Sequence, residues 1–149
     1  MIDLGDVNLS ACALCRSTAL RPFLLLRREG VPPGKPDHNI GYLHTVIVLC
    51  GGCGGGFLEV RKHDCFDYED VWDQDEWFVF DRSSADAMQS FAAPCPSPLS
   101  EHCSCPVHQA LRKLEPTVRA WTYGFEAPAH IHRAVFSVRD GRPRFTRAA

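Results

Sequence analysis

The sequence predicts an α+β fold: a small metal-stabilised domain with an N-terminal zinc-binding part, antiparallel strands and two short helices. Cysteine pairs, apolar runs between turn formers, and stretches with helical spacing support this prediction. At 149 residues, with 45% hydrophobic and 23% charged residues, the chain has the composition of one globular domain. We expect a β module over residues 1–62 and an α+β part over residues 63–149, joined in one compact unit.

Three strands are predicted in the N-terminal part. Leu20–Arg28 and Tyr42–Cys50 are rich in Leu, Val and Ile, as strands are. The residues between them, 30–41, are mostly turn formers with Pro and Gly. Alternation of side chains between two faces over Phe57–Lys62 predicts the third strand. With a CxxC turn, here called a knuckle, before the first strand and another after the second, the order is knuckle, strand, loop, strand, knuckle, strand.

The strongest chemical signal is a pair of CxxC motifs. Four thiolates suit the tetrahedral coordination of Zn²⁺, and a tight CxxC turn presents two of them to one ion. The glycines that follow the second motif allow the backbone to approach the sulfurs. The predicted ligands of this first site are Cys12, Cys15, Cys50 and Cys53.

Four thiolates carry more negative charge than one zinc ion neutralises. We expect Arg16, Arg61 and Lys62, which are near the motifs in sequence, to offset the excess.

On these four cysteines and the order of strands around them, residues 10–62 resemble the zinc-ribbon fold group. The resemblance implies structural zinc. Two alternatives stay open: a redox CxxC, which would need a βαβ setting that neither motif has, and a Cys₄ iron site, which spacing alone does not exclude.

A second cluster follows at residues 94–108, and we expect a closed Cys₃His site there, so that the chain binds one or two zinc ions. The next residues predict a helix that starts at Pro106 and places Val107, Leu111 and Leu114 on one face. The alternative is a surface loop with incidental thiols. The predicted ligands are Cys95, Cys103, Cys105 and His108, with Cys65 as an alternative ligand and His63 and His102 as weaker ones.

His130 and His132 form a His-x-His pair on a predicted strand. Residues two apart on a strand share a face, so both rings face the side of Ala134 and Phe136. Because that side is apolar, we favour a hydrogen-bonded inner pair over metal ligation.

The remaining elements complete the α+β prediction. Residues 72–80 and Thr117–Gly124 are predicted strands, and a short helix is predicted to open at Ser83. Ile131–Arg139 and Arg142–Thr146 form a hairpin through the Asp140–Gly141 turn, with Pro143 marking an edge strand.

Residues 64–81, here called the acidic–aromatic segment, contain eight carboxylates and no Lys or Arg. We weigh three interpretations: a solvated face balanced by the basic C-terminal residues, a docking face for a basic partner, and a hard-metal site, which lacks the glycine of a calcium loop. The predicted partner-binding residues are Asp67, Tyr68, Glu69, Asp70, Trp72, Asp73, Asp75, Glu76 and Trp77.

The leading functional hypothesis is a non-enzymatic zinc protein that docks a basic protein partner, as an antitoxin, an immunity protein or an adaptor subunit would. Common catalytic motifs are absent from the sequence, and both predicted metal sites lack an open position. The enzymatic alternative depends on Cys65 beside His63 or on a bound metal.

Nucleic-acid binding is the second alternative. An arginine-rich C-terminal hairpin favours it, whereas a pI of about 6.4 and the acidic–aromatic segment oppose it. The hairpin residues are Arg133, Arg139, Arg142, Arg144 and Arg147. A cytoplasmic location is expected, because the sequence has no long apolar run and no signal-peptide layout.

Overall fold

The structure, a computed structural model, describes residues 9–30, 42–65, 71–120 and 131–148. Side chains are described for these residues except 42, 63–65, 71–74 and 119–120. The elements are β1 Leu20–Glu29, β2 Tyr42–Cys50, β3 Gly56–Cys65, β4 Val71–Phe80, α1 Arg82–Ala92, α2 Pro106–Ala120, β5 Ile131–Arg139 and β6 Arg142–Arg147.

The fold is predominantly β, so the predicted α+β class, with an N-terminal zinc ribbon, antiparallel strands and two short helices, is wrong. The six strands form one sheet in the order β1-β2-β3-β4-β5-β6. β3 runs past residue 62 and pairs with β4 along its whole length, from Gly56 opposite Phe80 to Cys65 opposite Val71. The β-rich N-terminal strands therefore continue directly into the strands that follow them.

The strand directions also differ from the prediction at one position. β1 to β4 are antiparallel neighbours, and so are β5 and β6, but β4 and β5 are parallel. Parallel neighbours need a long crossover connection. Here the residues between β4 and β5 include both α1 and α2.

Both faces of the central sheet are buried. On one face Leu24, Ile47, Leu58 and Phe78 pack against the helices. On the other face a second cluster contains Leu25, Val46, Val48, Phe57 and Val79, together with Cys12 and Cys50. Burial on both faces explains why β1 and β2 are continuous apolar runs rather than alternating ones.

Helix α1 is capped earlier in the chain than the sequence predicted. Asp81, not Ser83, is the N-cap, and its carboxylate accepts a hydrogen bond from the Ser84 N–H at 3.1 Å. The Ser84 hydroxyl accepts one from the Phe136 N–H at 3.0 Å, which connects α1 to β5.

Helix α2 starts at Pro106 as predicted, but it continues to Ala120, so the predicted strand at Thr117–Gly124 is wrong over Thr117–Ala120. Val107, Leu111 and Val118 recur at helical spacing and are all buried. Residues 121–124 lie outside the described residues.

The C-terminal hairpin has the predicted form. Asp140 and Gly141 connect β5 to β6 with φ angles of 53° and 74°, the left-handed pair that a type I′ turn requires. β6, which contains Pro143, is an edge strand. Among the described residues, no helix combines the length and apolar character needed to cross a membrane.

Candidate metal centres

The first cysteine cluster lies where the strands β1, β2 and β3 meet their connections. Cys12 and Cys15 precede β1, Cys50 ends β2 and Cys53 lies in the turn into β3. The Sγ atoms of Cys12 and Cys53 are 3.8 Å apart, and those of Cys15 and Cys50 are 3.6 Å apart. With Zn–S bonds of about 2.3 Å, the edge of a tetrahedral ZnS₄ site is about 3.8 Å. These two distances match that edge, and all four sulfurs lie within 4.8 Å of one another.

The backbone around the first cluster is folded into two tight turns. The N–H of Arg16 donates to the Cys12 carbonyl at 2.8 Å, and the N–H of Gly54 donates to the Cys50 carbonyl at 3.1 Å. The Gly52 N–H points at the Cys50 sulfur, 3.3 Å away. N–H groups aimed at sulfur stabilise thiolates and orient them towards a cation.

Two glycines of this turn are required by geometry. A Cβ on Gly52 would lie 2.6 Å from Cβ of Ser17 and 3.2 Å from the Cys15 sulfur. Gly54 has φ of +79°, a conformation that side chains disfavour. The glycine run after Cys50 is therefore needed to bring the two knuckles together.

The side chain of Arg82 lies against the second CxxC turn, a contact that the sequence pattern does not indicate. A Cβ on Gly54 would lie 3.1 Å from Cγ and Cδ of Arg82, so this side chain covers the second knuckle. Arg61, which was expected there, instead forms an ion pair with Asp75 at 3.2 Å. Only the β3–β4 register, with Gly56 opposite Phe80, brings Arg82 to this position.

The second cluster joins the loop after α1 to the start of α2. The Cys95 and Cys103 sulfurs are 3.9 Å apart, and Nδ1 of His108 lies 3.3 Å from the Cys95 sulfur and 3.4 Å from that of Cys105. In a tetrahedral zinc site the S–N edge is about 3.5 Å. All four donor atoms lie within 4.8 Å of one another.

His108 is held by a hydrogen bond that selects its ligating nitrogen. The ring is fully buried, and its Nε2 lies 3.0 Å from the Leu25 carbonyl oxygen. Nε2 must carry the proton in this bond, which leaves the Nδ1 lone pair directed at the thiols. A carbonyl on the outer side of a histidine is the usual support of a metal ligand.

The second cluster also covers the open edge of the sheet. β1 is an edge strand, and its register shifts on both sides of Leu24–Leu25. The Leu25 N–H donates to the Pro98 carbonyl at 2.8 Å, and the Leu26 carbonyl accepts from Arg112 at 2.7 Å. These contacts satisfy edge groups that would otherwise be open to another chain.

Each cluster contains one thiol that ionises near neutral pH. Burial alone would raise the pKa of Cys105, but the hydrogen bond from the His108 backbone N–H and the contacts with the neighbouring Cys95 and Cys103 thiols lower it to about 6. Burial likewise opposes ionisation of Cys50, but the N–H groups of Cys53 and Gly52 and the neighbouring thiols lower its pKa to about 7.

In other thiols of the two clusters the pKa is raised rather than lowered. Burial, followed by the neighbouring thiols, raises the pKa of Cys53 and the pKa of Cys95 to about 12 in each case. Burial also raises the pKa of Cys12. Crowded sulfurs cannot all ionise without a cation between them, so the donor chemistry of both clusters fits a divalent metal ion.

Of the other predicted ligands, those that the structure describes belong to neither cluster. His102 is exposed and contacts Glu101, and the side chains of His63 and Cys65 at the end of β3 are outside the described part. Nε2 of His132 donates to the Glu76 carboxylate at 2.6 Å, and the ring stacks on Phe78 with centroids 5.1 Å apart. His130 lies outside the described residues.

The structure describes the acidic–aromatic segment only in part. Asp67, Tyr68, Glu69 and Asp70 lie outside the described residues, and Trp72 and Asp73 are placed in β4 by their backbone.

The three remaining candidates make contacts within the chain. Asp75 pairs with Arg61, Glu76 is buried against His132, and the Trp77 indole donates to the buried Glu59 carboxylate at 2.7 Å. These three side chains therefore have partners within the sheet. The cost of burying the Glu76 and Glu59 carboxylates is offset by their hydrogen bonds to His132 and Trp77.

No protein family model, curated protein or solved structure matches this chain. The clusters are compatible with zinc-ribbon-like knuckles, and each could hold a metal ion.

Proposed function

We propose that this protein is a non-enzymatic binding module whose fold depends on two structural zinc ions. The observation that carries the proposal is the presence of two separate sets of four donor atoms, with all four atoms of each set within 4.8 Å of one another. In both sets the protein supplies all four ligands. A site of this kind has no open position for substrate or activated water, so it acts structurally.

Zinc is favoured over iron by the second cluster. A mixed set of three thiols and one histidine, with the histidine supported by a backbone carbonyl, is typical of structural zinc. Iron–sulfur clusters are usually held by four cysteines.

A chelation experiment tests this part of the proposal. Each structural zinc ion supplies folding free energy on the order of 10 kcal/mol. We therefore expect a strong zinc chelator to abolish cooperative thermal unfolding monitored by circular dichroism, and added Zn²⁺, but not Mg²⁺, to restore it. Unchanged thermal unfolding in the presence of the chelator would contradict the proposal. Visible absorption typical of iron–sulfur clusters would show that the bound metal is iron rather than zinc.

The proposed partner is a basic protein that docks on the acidic–aromatic segment. Asp75, Glu76 and Trp77 form ion pairs or hydrogen bonds within the chain. The proposed contact surface therefore consists of the remaining predicted partner-binding residues. These are Asp67, Tyr68, Glu69, Asp70, Trp72 and Asp73. A run of acids attracts a basic partner at long range, and aromatic side chains supply affinity at short range.

A pull-down with matched charge reversals tests the docking proposal. The Asp67→Lys/Asp70→Lys variant changes the proposed surface, and the Asp86→Lys/Glu101→Lys variant makes the same change in net charge at exposed positions elsewhere. We expect only the first variant to lose basic partners captured by the wild-type protein. Capture of the same partners by the first variant would refute docking on this segment.

A further inference from the structure

The outer face of the β5–β6 hairpin is strongly basic. Four arginines, Arg133, Arg139, Arg142 and Arg144, are exposed, whereas Ala134, Phe136 and Phe145 point inwards and are buried. Alternation along the two strands places these arginines on the face opposite the helices. Exposed Ile131 and Val135 lie on the same face.

Three of these arginines lie close together, and none of the four forms an ion pair with another residue in the part of the chain that the structure describes. Arg139 is directly opposite Arg142, and Arg144 follows on the same face two residues later. Like charges at opposed positions destabilise a strand pair. The nearest acid in sequence, Asp140, is exposed in the turn.

The arrangement matches a polymeric anion better than a single ion. Arg139 lies six positions after Arg133, a distance of about 20 Å along an extended strand. Guanidinium groups bind phosphate oxygens in a bidentate manner and remain charged at every relevant pH. A two-stranded ribbon is also a shape that the major groove of duplex DNA admits.

We propose that the outer face of the β5–β6 hairpin binds the phosphate backbone of a nucleic acid. This inference goes beyond the structural role of the metal centres and does not depend on docking of a basic protein. The two surfaces have opposite charges, so each has its own partner and its own test.

Fluorescence anisotropy with labelled 20-nucleotide probes tests the inference on the zinc-loaded protein. The probes are single-stranded DNA, single-stranded RNA and duplex DNA, titrated at several salt concentrations. The test variant is Arg142→Gln/Arg144→Gln. The control variant, Arg21→Gln/Lys113→Gln, removes the same charge from exposed positions on β1 and α2.

We expect the wild-type protein and the control to bind at least one probe with affinity that falls steeply as salt increases. The test variant should bind about tenfold or more weakly. Its slope of log affinity against log salt should be shallower by roughly 0.7 to 0.9 for each phosphate that the removed arginines had neutralised. Equal zinc content in both variants establishes that both are folded.

Three results would overturn the inference. One is the absence of binding to all three probes at low salt. Another is equal weakening of the test and control variants. The last is binding of a poly-glutamate peptide with the same arginine dependence but no binding of any nucleic acid, which would assign the surface to an acidic protein.

Discussion

At the scale of single residues, His108 is the side chain on which the second cluster depends most. Its Nε2 is bonded to the Leu25 carbonyl, and its Nδ1 faces two thiols. The residue thus joins the metal centre, α2 and the edge strand β1. None of the cysteines in this cluster is as deeply buried.

We predict that His108→Ala lowers the zinc content from two ions to one, because three thiols alone leave a coordination position open. The melting temperature should also fall, since the loop over β1 loses its anchor. His102→Ala is the matched control: its ring is exposed and it belongs to neither cluster. Zinc analysis of the purified proteins checks the prediction, and two retained ions in His108→Ala would contradict it.

The Glu76–His132 contact is a second determinant at the residue scale. The two side chains are only 6% and 9% exposed, and their polar atoms are 2.6 Å apart. A hydrogen bond to a buried charged group contributes more to stability than a surface ion pair does. The pair joins β4 to β5, the parallel neighbours of the sheet.

We predict that Glu76→Gln lowers the free energy of unfolding by about 2 kcal/mol. Asp75→Asn, which changes the more exposed pair with Arg61, should lower it by less than about 1 kcal/mol. Urea unfolding of both variants measures the difference. Equal effects would show that burial does not set the strength of these contacts.

At the scale of elements, the sequence predicts strands and turns correctly where the pattern of neighbouring residues determines the local structure. β2 has the predicted bounds, Tyr42–Cys50, because burial on both faces produces an uninterrupted apolar run. Both CxxC turns and the Asp140–Gly141 turn are fixed by short-range geometry. All eight donor residues of the two clusters were identified from spacing and residue type, and the structure brings them together.

The sequence-based predictions were wrong or incomplete where contacts between residues distant in sequence determine the structure. Thr117 and Val118 have strand-forming side chains, yet they belong to α2 because Val118 packs in register with Val107 and Leu111. The parallel pairing of β4 and β5 depends on a crossover that no local pattern encodes. Arg82 and the Leu25 carbonyl were missed because strand register and a bulge, rather than sequence proximity, place them.

The two CxxC turns and the Cys95–His108 loop predict pH-dependent metal binding. Zinc binds thiolate, so bound protons compete with it. The pKa of Cys105 is about 6 and that of Cys50 about 7, while Cys53 and Cys95, with pKa values of about 12, must release protons when a metal binds. Apparent zinc affinity should therefore rise with increasing pH and fall with decreasing pH.

A competition titration with a chromophoric chelator measures this dependence. From about pH 7 to about pH 5 we expect the apparent affinity to fall about tenfold or more for each pH unit, since at least one proton is exchanged per ion. Correction for the chelator's own protonation is the control. Zinc affinity independent of pH would mean that thiols are not the ligands.

At the scale of the whole molecule, the two candidate metal clusters lie at two places on one sheet. The first cluster holds the N-terminal segment and the β2–β3 turn at the ends of three strands, and the second holds a loop and α2 over the β1 edge. The opposite edge, at β5–β6, displays exposed arginines. The two candidate metal clusters and the proposed nucleic-acid-binding face are thus located in different parts of the sheet.

Native mass spectrometry of protein purified without added metal counts the bound zinc ions. We expect a mass that exceeds the apoprotein by two zinc ions, with all eight ligand residues unmodified. A protein of apoprotein mass with intact fold, or one whose mass reveals cysteines oxidised to disulfides, would contradict it.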